Sequence, residues 1–239
     1  MSNLMGATVV FDLDGTLVDT APDIRSAINI MMAEANLPEL DLLQVRGLIG
    51  HGARGLFEKV LREAGRAVTA SELDDLADRF LVVYGANIAR ESRPYPGLED
   101  ALGELARSGA RLAVCTNKRD ISTASLLDAL GLARRFRAVA TPETAGAAKP
   151  DPAHLLAAIA RAGGDPDRAV MVGDSAADAE AARRACVPLI LVDFGYCEGG
   201  ASALKPDVLI SHFRELPGAV ARLLGAGAPA IAPSPAMDA

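Results

Sequence analysis

The chain has 239 residues, half of them hydrophobic, with a net charge of −7 and three cysteines. That is ample apolar material for a buried core. The acidic balance and the lack of any Lys/Arg cluster exclude an electrostatic footprint for nucleic acid or anionic membrane, which leaves a small soluble partner. Cys115, Cys186 and Cys197 are odd in number and lack metal-type spacing, so neither a disulfide framework nor a zinc site is expected and a reducing cytoplasm is the expected location. The N-terminal stretch has no basic segment ahead of a long apolar core, and no run reaches the roughly 18 apolar residues of a membrane span.

The first predicted strand, ATVVFDLD (7–14), is an apolar run that ends on two carboxylates, Asp12 and Asp14, ahead of Gly15. In an extended chain Asp12 and Asp14 point the same way, and Leu13 between them points back into the core. Residues 20–94 show no strand pattern, only amphipathic helical stretches such as APDIRSAINIMMAEANL and SELDDLADRFLVVYGANI. They form a helical insert, and Pro94, Tyr95, Pro96 and Gly97 supply the return hinge.

Beyond the hinge, helix and strand alternate. Helices are expected at 98–109, 120–131, 151–164 and 176–187, and buried strands at 110–118, 168–175 and 187–195. FRAVATPE (136–143) and PDVLISHF (206–213) are expected as a second strand pair, and the Ala/Pro/Gly-rich tail 225–239 as disordered. The pattern predicts a doubly wound α/β parallel sheet of Rossmann type, with residues 1–19 and 95–224 as the core domain and 20–94 as an inserted domain.

Ligands of such sheets bind beyond the carboxyl ends of the strands, and the reactive side chains fall there: Asp12, Asp14, Thr116, Lys149, Asp174 and Asp178. Converging carboxylates repel one another unless a cation joins them, and an all-oxygen donor set from Asp12, Asp14, Asp174 and Asp178 points to Mg2+. Asp12 then suits nucleophilic attack on a phosphoryl group, and Asp14 suits proton transfer to the leaving oxygen and later from water. Lys149 offers a compact positive charge and Thr116 a hydroxyl for a phosphoryl oxygen. Asp178 reads as a metal ligand, direct or through water, or as the group that orients Lys149. Gly15 has a positional role beside the phosphoryl group. His51 and Arg54, flanked by Gly50, Gly52 and Gly55, read either as contacts for a substrate carboxylate or as an exposed basic pair beside a glycine-rich turn. Cys115 reads as a core residue, and His154 and His212 as ordinary helix and loop residues.

DLDGT (12–16), Thr116 in VCTNK, Lys149 before Pro150 and GDSAAD (173–178), in this order, resemble the haloacid dehalogenase (HAD) superfamily, over nearly the whole chain to about residue 224. The resemblance implies a HAD core with a small all-helical cap after the first strand. Asp14 implies phosphoryl transfer, because true dehalogenases lack that acid. LIGHGARGLFEKVL, KPDPAHLL and GYCEGG, followed by KPDVLI, are similar to the phosphoglycolate phosphatases, which implies a small phosphorylated metabolite as partner, 2-phosphoglycolate first, with Asn117 and Gly15 among the substrate contacts. Cys197 and His51 depart from that group, both standing where asparagine is usual. Other capped phosphatases, mutases or pyrophosphatases use the same machinery. A receiver-like signalling module also pairs acids, Thr, Lys and Mg2+, but needs neither Asp14 nor the insert.

Overall fold

The computed structural model describes residues 3–50 and 52–225. Six parallel strands form one sheet in the order β5-β4-β1-β6-β7-β8. They are β1 Thr8–Phe11, β4 Arg111–Cys115, β5 Ala138–Ala140, β6 Ala169–Gly173, β7 Leu189–Val192 and β8 Val208–Ile210. The chain builds outward from β1 through β4 to β5, then returns to the other side of β1 for β6, β7 and β8. The order reverses beside β1, and this is where doubly wound sheets open a crevice.

Parallel strands covered on both faces read as unbroken apolar runs, and alternate residues feed two separate cores. Val9, Phe11, Val114 and Val172 pack on the side of helices α5 (Leu98–Arg107), α6 (Asp120–Ala129) and α10 (Leu216–Gly225). Val10, Ala113, Cys115 and Met171 pack on the side of α8 (Pro152–Arg161) and α9 (Ala176–Arg184). The helices carry the matching stripe: in α5, Leu98, Ala101, Leu102 and Leu105 are buried, the i, i+3, i+4, i+7 pattern of one face. Side-chain caps fix where helices begin. Asp151 accepts from Ala153 N ahead of Pro152 in α8, and Ser175 with Asp178 forms a reciprocal capping box on α9.

Between β1 and β4 lie α1 (Ala21–Glu34), α2 (Leu42–Arg46), α3 (Gly52–Glu63) and α4 (Ala70–Gly85). In α4 the buried face is Leu73, Ala77, Phe80 and Tyr84, and Phe80 meets Phe57 of α3 edge to face at 5.7 Å.

Two strand expectations are corrected. Residues 136–143 and 206–213 do contribute strands, β5 and β8, but on opposite edges of the sheet and not as a pair; each instead pairs with the strand before it in sequence, β5 with β4 and β8 with β7. The insert is bounded by a small antiparallel ribbon, β2 (Val18–Asp19) against β3 (Arg93–Pro94), too short to register as a periodic pattern. The ribbon brings entry and exit of the insert together. Buried Asp23 in α1 strengthens the junction by accepting from the backbone of Glu91 and Ser92 and from Ser92 Oγ at 2.6 Å. The tail beyond Gly225 and His51 lie outside the described residues. No helix among the described residues is long and apolar enough to cross a membrane, and Cys115, Cys186 and Cys197 are all unpaired.

Candidate active site

The chain turns sharply after β1, and the turn decides where both aspartates go. Asp12 still belongs to the sheet, its N–H donating to Val172 O, while Leu13 is fully buried in the core as its parity requires. Gly15 then adopts φ +81°, and a Cβ there would come within 2.5 Å of Asp174 Oδ2 and 2.8 Å of the Tyr196 ring. Glycine is required on both counts. Gly15 thus lets the loop close on Asp174; it does not line the pocket, so its part is positional.

Lys149 is the hub of the site. Its Nζ lies 2.8 Å from Asp12 Oδ1 and 2.7 Å from Asp178 Oδ1, and the residue is only 4% exposed. Asp12 Oδ1 also accepts from Leu13 N at 2.7 Å, whereas Asp12 Oδ2 takes no hydrogen bond among the described residues. Asp178 is fully engaged: its Oδ2 accepts from Asp174 N, Ser175 N and Ser175 Oγ. Asp174 accepts from Thr16 Oγ1 at 2.8 Å and Tyr196 N at 2.7 Å.

Oxygens of Asp12, Asp174 and Asp178 lie within 4.8 Å of one another, all buried. Three carboxylates against one ammonium leave an excess of two negative charges when all are ionised. Burial, with the charge of Asp178, pushes Asp12 up to about 7, and burial with Asp178 and Asp12 pushes Asp174 up to about 8. Lys149 sits above the ordinary lysine range because Asp12 and Asp178 outweigh its own burial. A hard divalent cation matches both the charge deficit and the all-oxygen donors.

Asp14 is turned elsewhere. Its carboxylate accepts from Thr20 Oγ1 at 2.7 Å and pairs with Lys118 Nζ at 3.0 Å, so its side chain stands apart from the three-carboxylate group. Thr116 is buried on the pocket wall, with Oγ1 accepting from Lys118 N. Asn117 is committed to its neighbours: Oδ1 accepts from Lys149 N at 2.8 Å, and Nδ2 donates to Lys149 O and to Gly50 O. It pins the lysine loop from both sides and ties it to the loop between α2 and α3.

A pocket opens above these groups, roofed by apolar side chains of the insert, among them Leu48, Ile49, Leu56, Phe80 and Tyr84. Arg54 does not line it. Its guanidinium lies on the outer face of α3, 54% exposed, 3.3 Å from Asp74 of α4, so of the two readings of Arg54 the geometry follows the exposed one. The apolar face of α3, Leu56, Phe57, Val60 and Leu61, turns inward, and Arg54 lies at its flank near the start of the helix, where its side chain reaches Asp74.

Two site residues carried little sequence signal. Lys118 reads as a solvated loop lysine, yet its side chain is 7% exposed and its charge is held by Asp14 against burial. Tyr196 sits in the loop after β7. Its N–H goes to Asp174, its hydroxyl donates to Asp19 at 2.6 Å, and the same oxygen accepts from Thr20 N and Ala21 N. It belongs to the GYCEGG stretch that carries the family resemblance, but nothing in that stretch shows what its N–H and hydroxyl hold. His154, fully buried in α8, is held neutral, its pKa lowered to about 4 chiefly by burial.

The family model for haloacid dehalogenase-like hydrolases matches residues 7–185. The chain is 48% identical over 224 residues to the phosphoglycolate phosphatase of Caulobacter vibrioides, with 94% of each chain covered. It is 43% identical over 208 residues to that of Mesorhizobium japonicum, covering 87% of this chain and 92% of the relative. Among solved structures, a predicted phosphoglycolate phosphatase from Haemophilus somnus superposes with a TM-score of 0.83 at 29% identity, covering 90% of this chain and 98% of the other. CbbY from Rhodobacter sphaeroides in complex with phosphate gives 0.76 at 27% identity, covering 89% and 96%.

Proposed function

Because the chain belongs to the haloacid dehalogenase-like hydrolase family, we propose that it is a Mg2+-dependent phosphatase of small phosphomonoesters, with 2-phosphoglycolate its leading substrate. The observation that carries this reading is Asp12 itself. One of its oxygens is pinned by Lys149 and Leu13 N, and the other is left for attack at the floor of a pocket that the insert roofs. The relatives named phosphoglycolate phosphatase support the choice of substrate.

In this mechanism Asp12 Oδ2 attacks phosphorus in line and the ester P–O bond breaks. Asp14 gives a proton to the departing alkoxide. Water then attacks the aspartyl-phosphate while Asp14 takes the proton back, releasing phosphate and regenerating Asp12. Lys149 holds Asp12 in line and faces the charge on the phosphoryl oxygens. Thr116, whose oxygen already accepts from Lys118 N, has its hydroxyl proton to give to a phosphoryl oxygen. Asp12 and Asp174 would hold a divalent cation, which would supply neutralisation of the phosphoryl charge. Asp178, with both oxygens engaged, orients Lys149. Residues 20–94 act as a cap domain over the core domain that shields the site from bulk solvent while the phosphoryl group passes to Asp12 and then admits the water that hydrolyses the aspartyl-phosphate.

Unpaired cysteines fit a cytoplasmic enzyme. A receiver-like module has no use for a proton donor two residues beyond the phospho-accepting aspartate or for a roof above it. Phosphate release across a panel of phosphorylated metabolites, with Mg2+ or with EDTA, tests the reading. The expected result is fastest turnover of 2-phosphoglycolate and none in EDTA. Equal, slow turnover of every ester would overturn the substrate assignment.

A further inference from the structure

Phosphoryl transfer as described leaves two polar groups on the pocket wall without a task. Tyr84 of α4 is 1% exposed, and its hydroxyl, beside the Lys118 ammonium, finds no acceptor for its own proton among the described residues. The Lys118 ammonium lies 4.5 Å from the centroid of the Tyr84 ring. It spends part of its capacity on Asp14, at 3.0 and 3.3 Å, and an ammonium carries three N–H donors. Both residues line the same pocket as Asp12 and Thr116. A buried hydroxyl left without an acceptor is costly, and one at a cavity wall is satisfied when a ligand supplies the acceptor.

Other cations are spoken for. Lys149 serves Asp12 and Asp178. Arg119, half exposed, pairs with Glu143 at 2.5 Å. Arg54 lies outside the pocket against Asp74.

We infer that Lys118 and Tyr84 form the subsite for a second anionic group on the substrate, a carboxylate taken by the ammonium and the phenolic hydroxyl while the phosphoryl group lies against Asp12. The inference rests on the phosphatase reading above and specifies which part of the pocket selects the substrate. Lys118 stands 3.0 Å from Asp14, which puts the ammonium next to the group that serves the ester oxygen. One end of the subsite comes from the core and the other from α4, so an anionic tail bridges the two. An ester without an anion leaves both groups enclosed and unsatisfied, which is how a site built on hydrogen bonds rejects an analogue that lacks them.

The test compares 2-phosphoglycolate with ethyl phosphate, which keeps the ester and loses the carboxylate, in the wild type, Lys118→Met and Tyr84→Phe. The wild type is expected to prefer 2-phosphoglycolate in kcat/KM by roughly 10²-fold or more. Lys118→Met should erase most of that preference, and Tyr84→Phe, which keeps the ring, should cut it several-fold, largely through KM. If both variants slow the two esters by the same factor, the groups serve only Asp14 or packing and the inference falls while the phosphatase stands. If the wild type shows no preference between the esters, the 2-phosphoglycolate reading falls first and takes the subsite with it.

Discussion

The strand ends of the sheet and the helices of the insert use charge in opposite ways. At the strand ends, Asp12, Lys149, Asp174 and Asp178 are almost wholly removed from solvent, and each fixes the next at 2.7–3.2 Å. On the insert, the ion pairs Arg54–Asp74 and Arg79–Glu34 join helices across half-exposed surface, while its inward face is apolar. Buried charges reward exact partnership and punish its loss, and surface pairs are worth little. Reactivity is therefore stored in the core, and the insert contributes exclusion, shape and, through Tyr84, one polar contact.

That contrast can be broken in graded steps. Asp12→Asn should lower kcat by about 10⁴-fold or more, because it removes the attacking atom. Urea denaturation should find it at least as stable as the wild type without metal, since one of three crowded carboxylates is gone; a variant that is inactive because it is unfolded would defeat the assignment. Lys149→Met should come next. It strands Asp12 and Asp178 without their cation and should cost roughly 3–5 kcal/mol in urea at pH 8, and less at pH 5, where the carboxylates take up protons.

A smaller effect concerns pH. Asp12 and Asp174 have folded-state values of about 7 and about 8, raised from 3.8. Between those limits the native state holds more protons than the unfolded chain, so stability falls as pH rises. Their contribution is full below 3.8 and is lost as pH climbs through 7 and 8. Thermal unfolding in EDTA should show Tm declining across that range, with added Mg2+ raising Tm more at pH 8 than at pH 6. A Mg2+ effect of equal size at both values would argue against cation binding at these carboxylates. The smallest effect is Arg54→Ala, expected to change stability by within about 0.5 kcal/mol and to leave kcat/KM for 2-phosphoglycolate unchanged. A large rise in KM would return Arg54 to the pocket.

The sheet was legible because a strand buried on both faces is predominantly apolar, and β1, β4, β6 and β7 are, apart from Thr8 and Arg111 at the starts of β1 and β4. Asp12 and Asp174 stood out because charge at the end of such a run is costly without a purpose, and Lys149, in a loop, because of its KPDP setting between the other motifs. Strands of two or three residues are too short to show a period: β2 and β3 pair across the whole insert, and β5 and β8 each add to the strand before them in sequence. Lys118 was hidden because its partner is remote. Nothing in VCTNK says that a carboxylate 104 residues earlier will draw this lysine out of water. Arg54 was left open between two readings, since basic residues among glycines resemble an anion site until a partner such as Asp74, on another helix, is seen to take the charge.

Tyr196 bears on how freely this architecture can be rearranged. Its backbone N–H holds Asp174, and its hydroxyl gathers Asp19, Thr20 and Ala21 at the entry to the cap. Two residues later Glu198 reaches Lys59, which donates to Gly47 O. A chimaera that replaced residues 20–94 with the cap of a relative would remove Lys59, and with it the contact to Glu198, and would need a backbone path at Thr20 and Ala21 that still meets the Tyr196 hydroxyl. The transferable unit is the cap together with the loop that follows β7, two pieces of chain about a hundred residues apart that would have to be grafted, and to diverge, as one.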